Sequence, residues 1–292
     1  APVENELEQI FVERRLQRLP GFGGLNAWAA MPVQPTASTF ASGLHALARH
    51  YDLAALGVDV GGATTGIVVS SSAEGTARVV RSDFGVSHNT EGVMRAAGLD
   101  AILRWLPIAL SRADAENYLY NKALRPYSLP ESKEELLLEQ AVAREAIRLA
   151  LRELRLRWDG GKRKLYADLL PKLDLIVGAG GVMTHAPRHG QAALMLLDAL
   201  QPIGVSTLAL DVGGLMPQLS LIAAIQPLAA AHLVERDGLA TLGTAICPIG
   251  SARKGDSSPA YSGLLRLRRN NAGRWSKLRN AVLLLIFNRR AS

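Results

Sequence analysis

Leu56-Gly57-Val58-Asp59-Val60-Gly61-Gly62-Ala63-Thr64-Thr65-Gly66-Ile67-Val68-Val69-Ser70 is the stretch on which the fold turns. Two apolar, β-branched runs flank a turn of small residues. That pattern predicts a strand from Leu56 to Val60, a turn over Gly61 to Thr65, and a returning strand from Gly66 to Val69. Adjacent glycines let a backbone approach a ligand closely and leave N–H groups to point at phosphate oxygens. Asp59 sits at the end of the first strand, where a carboxylate can hold a water on Mg2+. Thr64 and Thr65 add hydroxyl donors. A Walker-type loop would continue into a helix and a Lys; here a second strand follows and no Lys is near. The reading is a β-hairpin phosphate loop, with an ordinary Gly-rich hairpin as its competitor.

A second glycine cluster lies in Leu173 to His185, LDLIVGAGGVMTH. A buried strand, Leu175 to Val177, runs into Gly178-Ala179-Gly180-Gly181, and a helix is expected to begin near Val182. Glycines at such a junction let a nucleotide lie against backbone at the helix start. Gly178, Gly180, Gly181 and Met183 are the candidates for the adenine or ribose pocket; a tight strand–helix turn needing glycine for itself is the alternative. The same stretch imitates a dinucleotide-binding unit, with a helix from Gln191 to Leu200, a strand from Val205 to Leu210, and Asp211 as the ribose acid. Against that stand the G-x-G-G order, which puts Met183 where a third Gly or Ala belongs, and an acid some thirty residues on where roughly 20 is usual.

With both clusters in view, the turn resembles the second phosphate motif of the actin, sugar-kinase and heat-shock-chaperone ATPases. More narrowly, Val58 to Thr65, VDVGGATT, and Gly180 to His185, GGVMTH, resemble the accessory-protein family of glutamate (methylaspartate) mutase, the MutL type. The likeness extends over roughly Glu4 to Gly250. It implies an α/β fold with a ribonuclease-H-like mixed sheet flanked by helices, forming one lobe of a two-lobed actin-like ATPase. It also implies ATP and Mg2+ as ligands. Asp59 would place the metal through water and act with Thr64 in hydrolysis; Gly61, Gly62, Thr64 and Thr65 would hold phosphates; Gly178, Gly180, Gly181 and Met183 would border adenosine. The implied partner is a cobalamin-dependent mutase that the accessory protein assembles or reactivates.

Two departures bear on activity. The family pattern continues with Asp after the second Thr, where this chain has Gly66. No Asp precedes Asp52, so the first lobe's own Asp-Gly hairpin is not in the sequence. The chain reads as a second lobe, possessing ATPase activity only if the first lobe is supplied. Two alternatives stay open: a Rossmann-type oxidoreductase using the second glycine loop, and a degenerate lobe that only docks on a mutase or on its first lobe.

Composition narrows the classes. The 292 residues suffice for a large core. Net charge is +7, but eight Lys and Arg with no acid lie between Gly263 and the end, so the basicity belongs to a tail. Aromatic content of 5% argues against a base-stacking nucleic-acid binder. A single cysteine, Cys247, excludes an internal disulfide and points to a buried thiol in a reducing, cytoplasmic setting. The acidic, polar start has no leader character, and no apolar run reaches the ~20 residues that span a bilayer, so no stable membrane insertion is expected.

The remaining elements follow from periodicity. Glu4 to Leu19 predicts an amphipathic helix docked on its own core. Thr76 to Arg81 predicts a third, antiparallel strand, followed by a loop from Asp83 to Asn89 in which Asp83 and Asn89 are turn or cap residues, with contact to a metal-bound nucleotide as the alternative, and His88 a surface residue. Helices are expected over Glu91–Ser111, from a capping box at Ser132 to Trp158 with a stop at Asp159-Gly160-Gly161, and over Leu219–Val234. Arg144, Glu145, Arg148 and Glu153 are expected on a solvated face. The organisation predicted is an ATPase-like lobe, residues 1–252, and a basic tail, 253–292, whose Ala281–Phe287 run is a terminal strand, a helix or a membrane contact.

Overall fold

The computed structural model describes residues 6, 9–29, 31, 33–72, 75–158, 170–247 and 282–285. Asp159 to Gly161 and most of the basic tail lie outside the described residues. In chain order the elements are α1 (Phe22–Trp28), α2 (Thr36–Tyr51), β1 (Ala55–Val60), β2 (Thr65–Ser71), β3 (Gly75–Arg81), α3 (Thr90–Ala97), α4 (Leu99–Leu103), α5 (Arg112–Leu124) and α6 (Lys133–Trp158). They continue with β4 (Leu175–Ala179), α7 (Gly181–Thr184), α8 (His189–Leu200), β5 (Gly204–Leu210), α9 (Met216–Ile225), α10 (Pro227–Leu233), β6 (Ala240–Cys247) and β7 (Val282–Leu285).

The strands form one mixed sheet in the order β3-β2-β1-β4-β5-β6-β7. β1, β2 and β3 make an antiparallel meander. β4 and β5 then add parallel to β1 on its other side, and β6 turns back antiparallel. This is the ribonuclease-H-like arrangement the hairpin implied. The two parallel additions each need a crossover, supplied by α3–α6 and by α8, as parallel strands require.

Both faces of the sheet are covered, which explains the near-continuous burial of β1 and β4. Strand alternation divides the core. Leu56, Val58, Val60 and Ile67 pack with Leu138, Ile147 and Leu154 of α6 and Leu196 of α8. Ala55, Val68, Leu175 and Val177 pack with Phe40 and Leu44 of α2 and with Met216 and Leu219 of α9. Leu44 and Ile147 are fully buried; cutting either to Ala would cost about 2–5 kcal/mol.

Several expectations need correction. Residues 9–11 are helical and Val12–Leu16 continues as a π-helical turn, but the described apolar residues Ile10, Phe11 and Leu19 are exposed rather than buried on the core. The Glu91–Ser111 helix is two short ones, split at Gly98, whose φ of 83° ends the first. A further helix, α5, was not anticipated, because its residues lack a strong apolar period. The helix expected over Leu219–Val234 starts earlier and breaks at Gln226, since Pro227 cannot donate into the ladder.

Helix α6 does span the anticipated residues, and Ser132 Oγ accepts from the Glu135 amide as the capping pattern requires. Two of the four charges expected on a solvated face are not there, however. Arg144 and Glu145 are buried, paired with Asp198 and Arg104 at 2.7 Å each. Trp105 Nε1 also donates to Glu145. Periodicity misses this because α6 crosses the sheet under α8 and α4, so its outer face is covered as well. The Ala281–Phe287 run contributes β7, parallel to β6, the strand option among the three.

Candidate functional site

β1, β4 and β5 are parallel, so their carboxyl ends lie on one edge of the sheet, the edge at which open α/β sheets receive ligands. Three glycine-containing segments gather there: Gly61–Thr64 after β1, Gly180–Gly181 after β4, and Asp211–Gly214 after β5.

The first is a turn with one polarity of the backbone tied down. Val60 pairs with Thr65 to close the hairpin, and the Gly61 amide donates to the Thr64 carbonyl at 2.8 Å. The Gly61 carbonyl accepts from the Val86 amide, and the Gly62 carbonyl from the Ser87 amide. Asn89 Nδ2 donates to the Ala63 carbonyl at 2.6 Å and also to Ser82. The carbonyls are thus drawn toward the 84–89 loop. Among the described residues, the amides of Gly62, Ala63 and Thr64 have no hydrogen-bond partner. Loop and turn touch so closely that a Cβ on Gly85 would overlap the Gly62 carbonyl. Successive free N–H groups on a turn whose carbonyls point away form an anion cradle.

The two threonines part company. Thr64 is exposed beside this cradle. Thr65 is fully buried, and its hydroxyl donates to the Phe84 carbonyl at 3.0 Å. Thr65 therefore braces the loop; its side chain does not reach a phosphate.

The second glycine cluster also divides. Gly180 has φ of +95°, and a Cβ there would overlap the Val60 carbonyl, so only glycine lets β4 pass the end of β1. Gly181 is exposed and has no crowding neighbour. Gly178 is buried inside β4, where a Cβ would press on Leu210, Leu196 and Met183. Met183 itself is fully buried in the core. Gly178 and Met183, both assigned to the ligand pocket by the sequence, therefore lie buried behind the junction.

Asp59 shares its level of the sheet with a second carboxylate. It pairs in register with Ala179. Leu210 pairs with Gly178, and the Asp211 amide donates to the Gly178 carbonyl at 2.8 Å, so Asp211 flanks Ala179 from the other side. Two strand spacings separate the α-carbons, about 10 Å. Asp211 is buried and accepts from the Leu215 and Met216 amides at 2.6 and 2.9 Å, capping α9. Burial, and secondly the charge of Asp211, raise the Asp59 carboxyl above its ordinary range. Burial raises Asp211 too, against the two amide bonds that lower it.

Comparison with known families now has a geometry to meet. The chain matches the family model described as MutL protein over residues 1–238. It belongs to the MutL family. These are the glutamate mutase accessory proteins that the two glycine motifs resembled. Among curated proteins none matches the chain.

Within this MutL chain the donor set fits a hard dication. Asp59 and Asp211 supply only oxygen, and two carboxylates whose charged forms burial disfavours are relieved by a cation. Among the described residues there is no group of three or more His, Cys, Asp or Glu able to enclose a metal. A cation here would keep waters or ligand oxygens, as Mg2+ does.

The dinucleotide alternative loses its geometry. α7 is a single turn of four residues, and the long helix α8 starts only at His189, so the helix at the glycine junction is too short to offer a pyrophosphate the dipole of a full helix. Asp83 is bound by Arg81 at 2.6 Å, and its carboxyl is lowered mainly by that contact. His88 is exposed and stacks edge-on with Tyr127. Cys247 is buried, its thiol pushed up to about 11 by desolvation, as an inert structural cysteine should be.

Sequence reasoning weighed Asp211 only as a ribose acid and missed its place beside Asp59, and it missed Asn89 as the clamp on the turn. For Asp211 a signal existed. Asp-Val-Gly-Gly occurs twice, at 59–62 and at 211–214, the first copy ending β1 and the second directly following β5. Parallel strands bring the two copies to one edge.

Proposed function

We propose that this MutL-family chain binds Mg-ATP at the β1–β2 turn and serves a cobalamin-dependent mutase as an accessory protein for assembly or reactivation. The observation that carries the reading is the turn itself: three consecutive free amides, 62–64, with the carbonyls fastened to the 84–89 loop. Such a turn has its anion-binding groups organised before any ligand arrives, which lowers the cost of binding. Gly61, Gly62 and Thr64 would hold phosphate oxygens. Asp59 would hold a metal-bound water, with Asp211 beside it. Gly180 and Gly181 would border adenosine, while Thr65, Gly178 and Met183 keep the frame in shape. Mg2+, when bound, would neutralise phosphate charge that the protein meets from one side only.

That one-sidedness sets the expected strength. Phosphate is best stabilised from both walls of a dry cleft, and this sheet supplies one. A first lobe, or the mutase subunit, would supply the other. A lobe that binds nucleotide but turns it over poorly is the second reading, favoured by Gly66 in place of the family Asp.

Calorimetric titration of the purified chain with ATP, with and without Mg2+ and with NAD+ as control, tests the proposal. Saturable heat with Mg-ATP and none with NAD+ is the expected result. Heat with NAD+ alone, or with neither, overturns it.

A further inference from the structure

At the opposite end of the sheet lies a groove of about 1080 Å3 between α2, β3 and the N-terminal segment around Val12 to Gln17. It is remote from the phosphate turn. Thr65 pairs with Val60 at the turn, whereas Ser70 pairs with Ala55 at the start of β1. Five residues of strand separate the two levels, about 17 Å.

The floor of this groove is a polar triangle. His45 Nδ1 lies 2.9 Å from Ser70 Oγ and 2.9 Å from Thr76 Oγ1, and the two hydroxyls are 2.9 Å from each other. Ser70 is fully buried. The helix, β2 and β3 each contribute one member, so the ring is fixed in orientation from two strands. When a hydroxyl donates to Nδ1, the ring proton sits on Nε2, the opposite edge, as a donor toward the groove. A buried polar triangle contributes little net stability compared with apolar side chains of the same shape. Its consequence here is the orientation of one imidazole.

Among the described lining residues Arg49 and Arg78 carry positive charge and Glu13 negative charge, with the His45 imidazole between strand and helix. Ser42, exposed on α2, adds a hydroxyl one turn from His45. Guanidinium groups and an imidazole donor are phosphate-binding chemistry. The volume is at the upper end for small-molecule pockets, ~300–1000 Å3, so it exceeds a bare phosphate many times over.

We infer that this groove is a second ligand site, for a small phosphorylated organic molecule, separate from the phosphate turn. His45 and Arg49 hold its phosphate, and the Ser70–Thr76 pair positions the imidazole.

The test follows the His45 ring resonances of the full chain by NMR, assigned by their loss in His45→Gln. Glycerol 3-phosphate is the probe. Saturable shifts at His45 are expected, with affinity falling about tenfold in Arg49→Gln, the loss of one charge-assisted hydrogen bond. Ser42→Glu, on the exposed face of α2, is expected to weaken binding at least as much. Mg-ATP and Asp59→Ala leave the His45 titration unchanged. An absent or non-saturable shift, affinity unchanged from the parent in either variant, or displacement by Mg-ATP overturns the site. Inorganic phosphate binding as tightly as glycerol 3-phosphate overturns the organic-ligand assignment. Failure of Mg-ATP to bind at the turn has no bearing on any of these readings.

Discussion

Asp59 and Gly66 stand directly opposite each other across the β1–β2 pair. Opposed residues project to the same face, so the position where the family carries Asp faces the proposed metal ligand. A Cβ built on Gly66 has the Asp59 carbonyl, 4.0 Å away, as its sole neighbour within that range. Gly66→Asp is therefore expected to fold. Like charges opposed on a sheet cost about 0.2–1 kcal/mol. That deficit should disappear when Mg2+ is added, because a cation between the two carboxylates reverses the repulsion. Melting curves with and without Mg2+ check it; a variant indifferent to Mg2+ would show that position 66 lies outside any metal site.

Protonation gives a second prediction. Asp59 has an ordinary value of 3.8 and is raised in the folded state, by burial first and Asp211 second. Between 3.8 and the raised value the native chain binds more protons than the unfolded one. Stability from this group is therefore present below that window and lost as pH rises through it. Asp59→Asn should melt higher than the parent at pH 7 without Mg2+, and the difference should vanish below about pH 4, where both forms of the parent are protonated. An Asn variant less stable at neutral pH contradicts the burial argument.

The neighbouring threonines separate structure from binding. Thr65→Val leaves the buried Phe84 carbonyl without its donor and should cost about 1–3 kcal/mol in urea denaturation. Thr64→Val, at an exposed site, should stay within about 0.5 kcal/mol while weakening ATP. The reverse pattern would mean that the turn presents its other side to the ligand.

The glycine pair after β4 makes a similar contrast. Gly180→Ala meets the Val60 carbonyl at a left-handed φ and should destabilise by more than about 3 kcal/mol. Gly181→Ala has no neighbour nearer than His185 Nδ1 at 3.8 Å and should fold normally. A weaker affinity for ATP in Gly181→Ala, with an unchanged melting temperature, places adenosine against that backbone. Unchanged affinity moves it elsewhere.

Loosening the clamp is the fifth case. Asn89→Ala releases the Ala63 and Ser82 carbonyls, at about 1–2 kcal/mol in stability. Because the turn is then no longer held, ATP affinity should fall although Asn89 touches no ligand. Stability lost with affinity intact would count against a pre-organised cradle.

Much of this was legible in the sequence where local chemistry is dictated locally. The meander β1–β3 follows from β-branched runs around Gly61-Gly62, and α6 from its cap at Ser132. The parallel pairing of β4 with β5 follows from the strand–helix–strand pattern of 175–210, while the placement of β4 beside β1 was implied only through the resemblance. What stayed hidden depends on long-range packing. Arg144 and Glu145 look solvated until α4 and α8 cover them. Thr64 and Thr65 are equivalent in sequence, and only the pleat sends one to solvent and the other to Phe84. The His45–Ser70–Thr76 triangle joins a helix to two strands, and no spacing announces it. Among the described residues no helix is long and apolar enough to cross a membrane.

The central claim is that the amides of Gly62, Ala63 and Thr64 receive phosphate. Backbone NMR of the full chain during titration with Mg-ATP tests it most directly. The account predicts saturable shifts at those three amides and at Gly181, with AMP moving Gly181 but leaving the turn nearly still. Amides 62–64 that stay unmoved while Mg-ATP binds would contradict it.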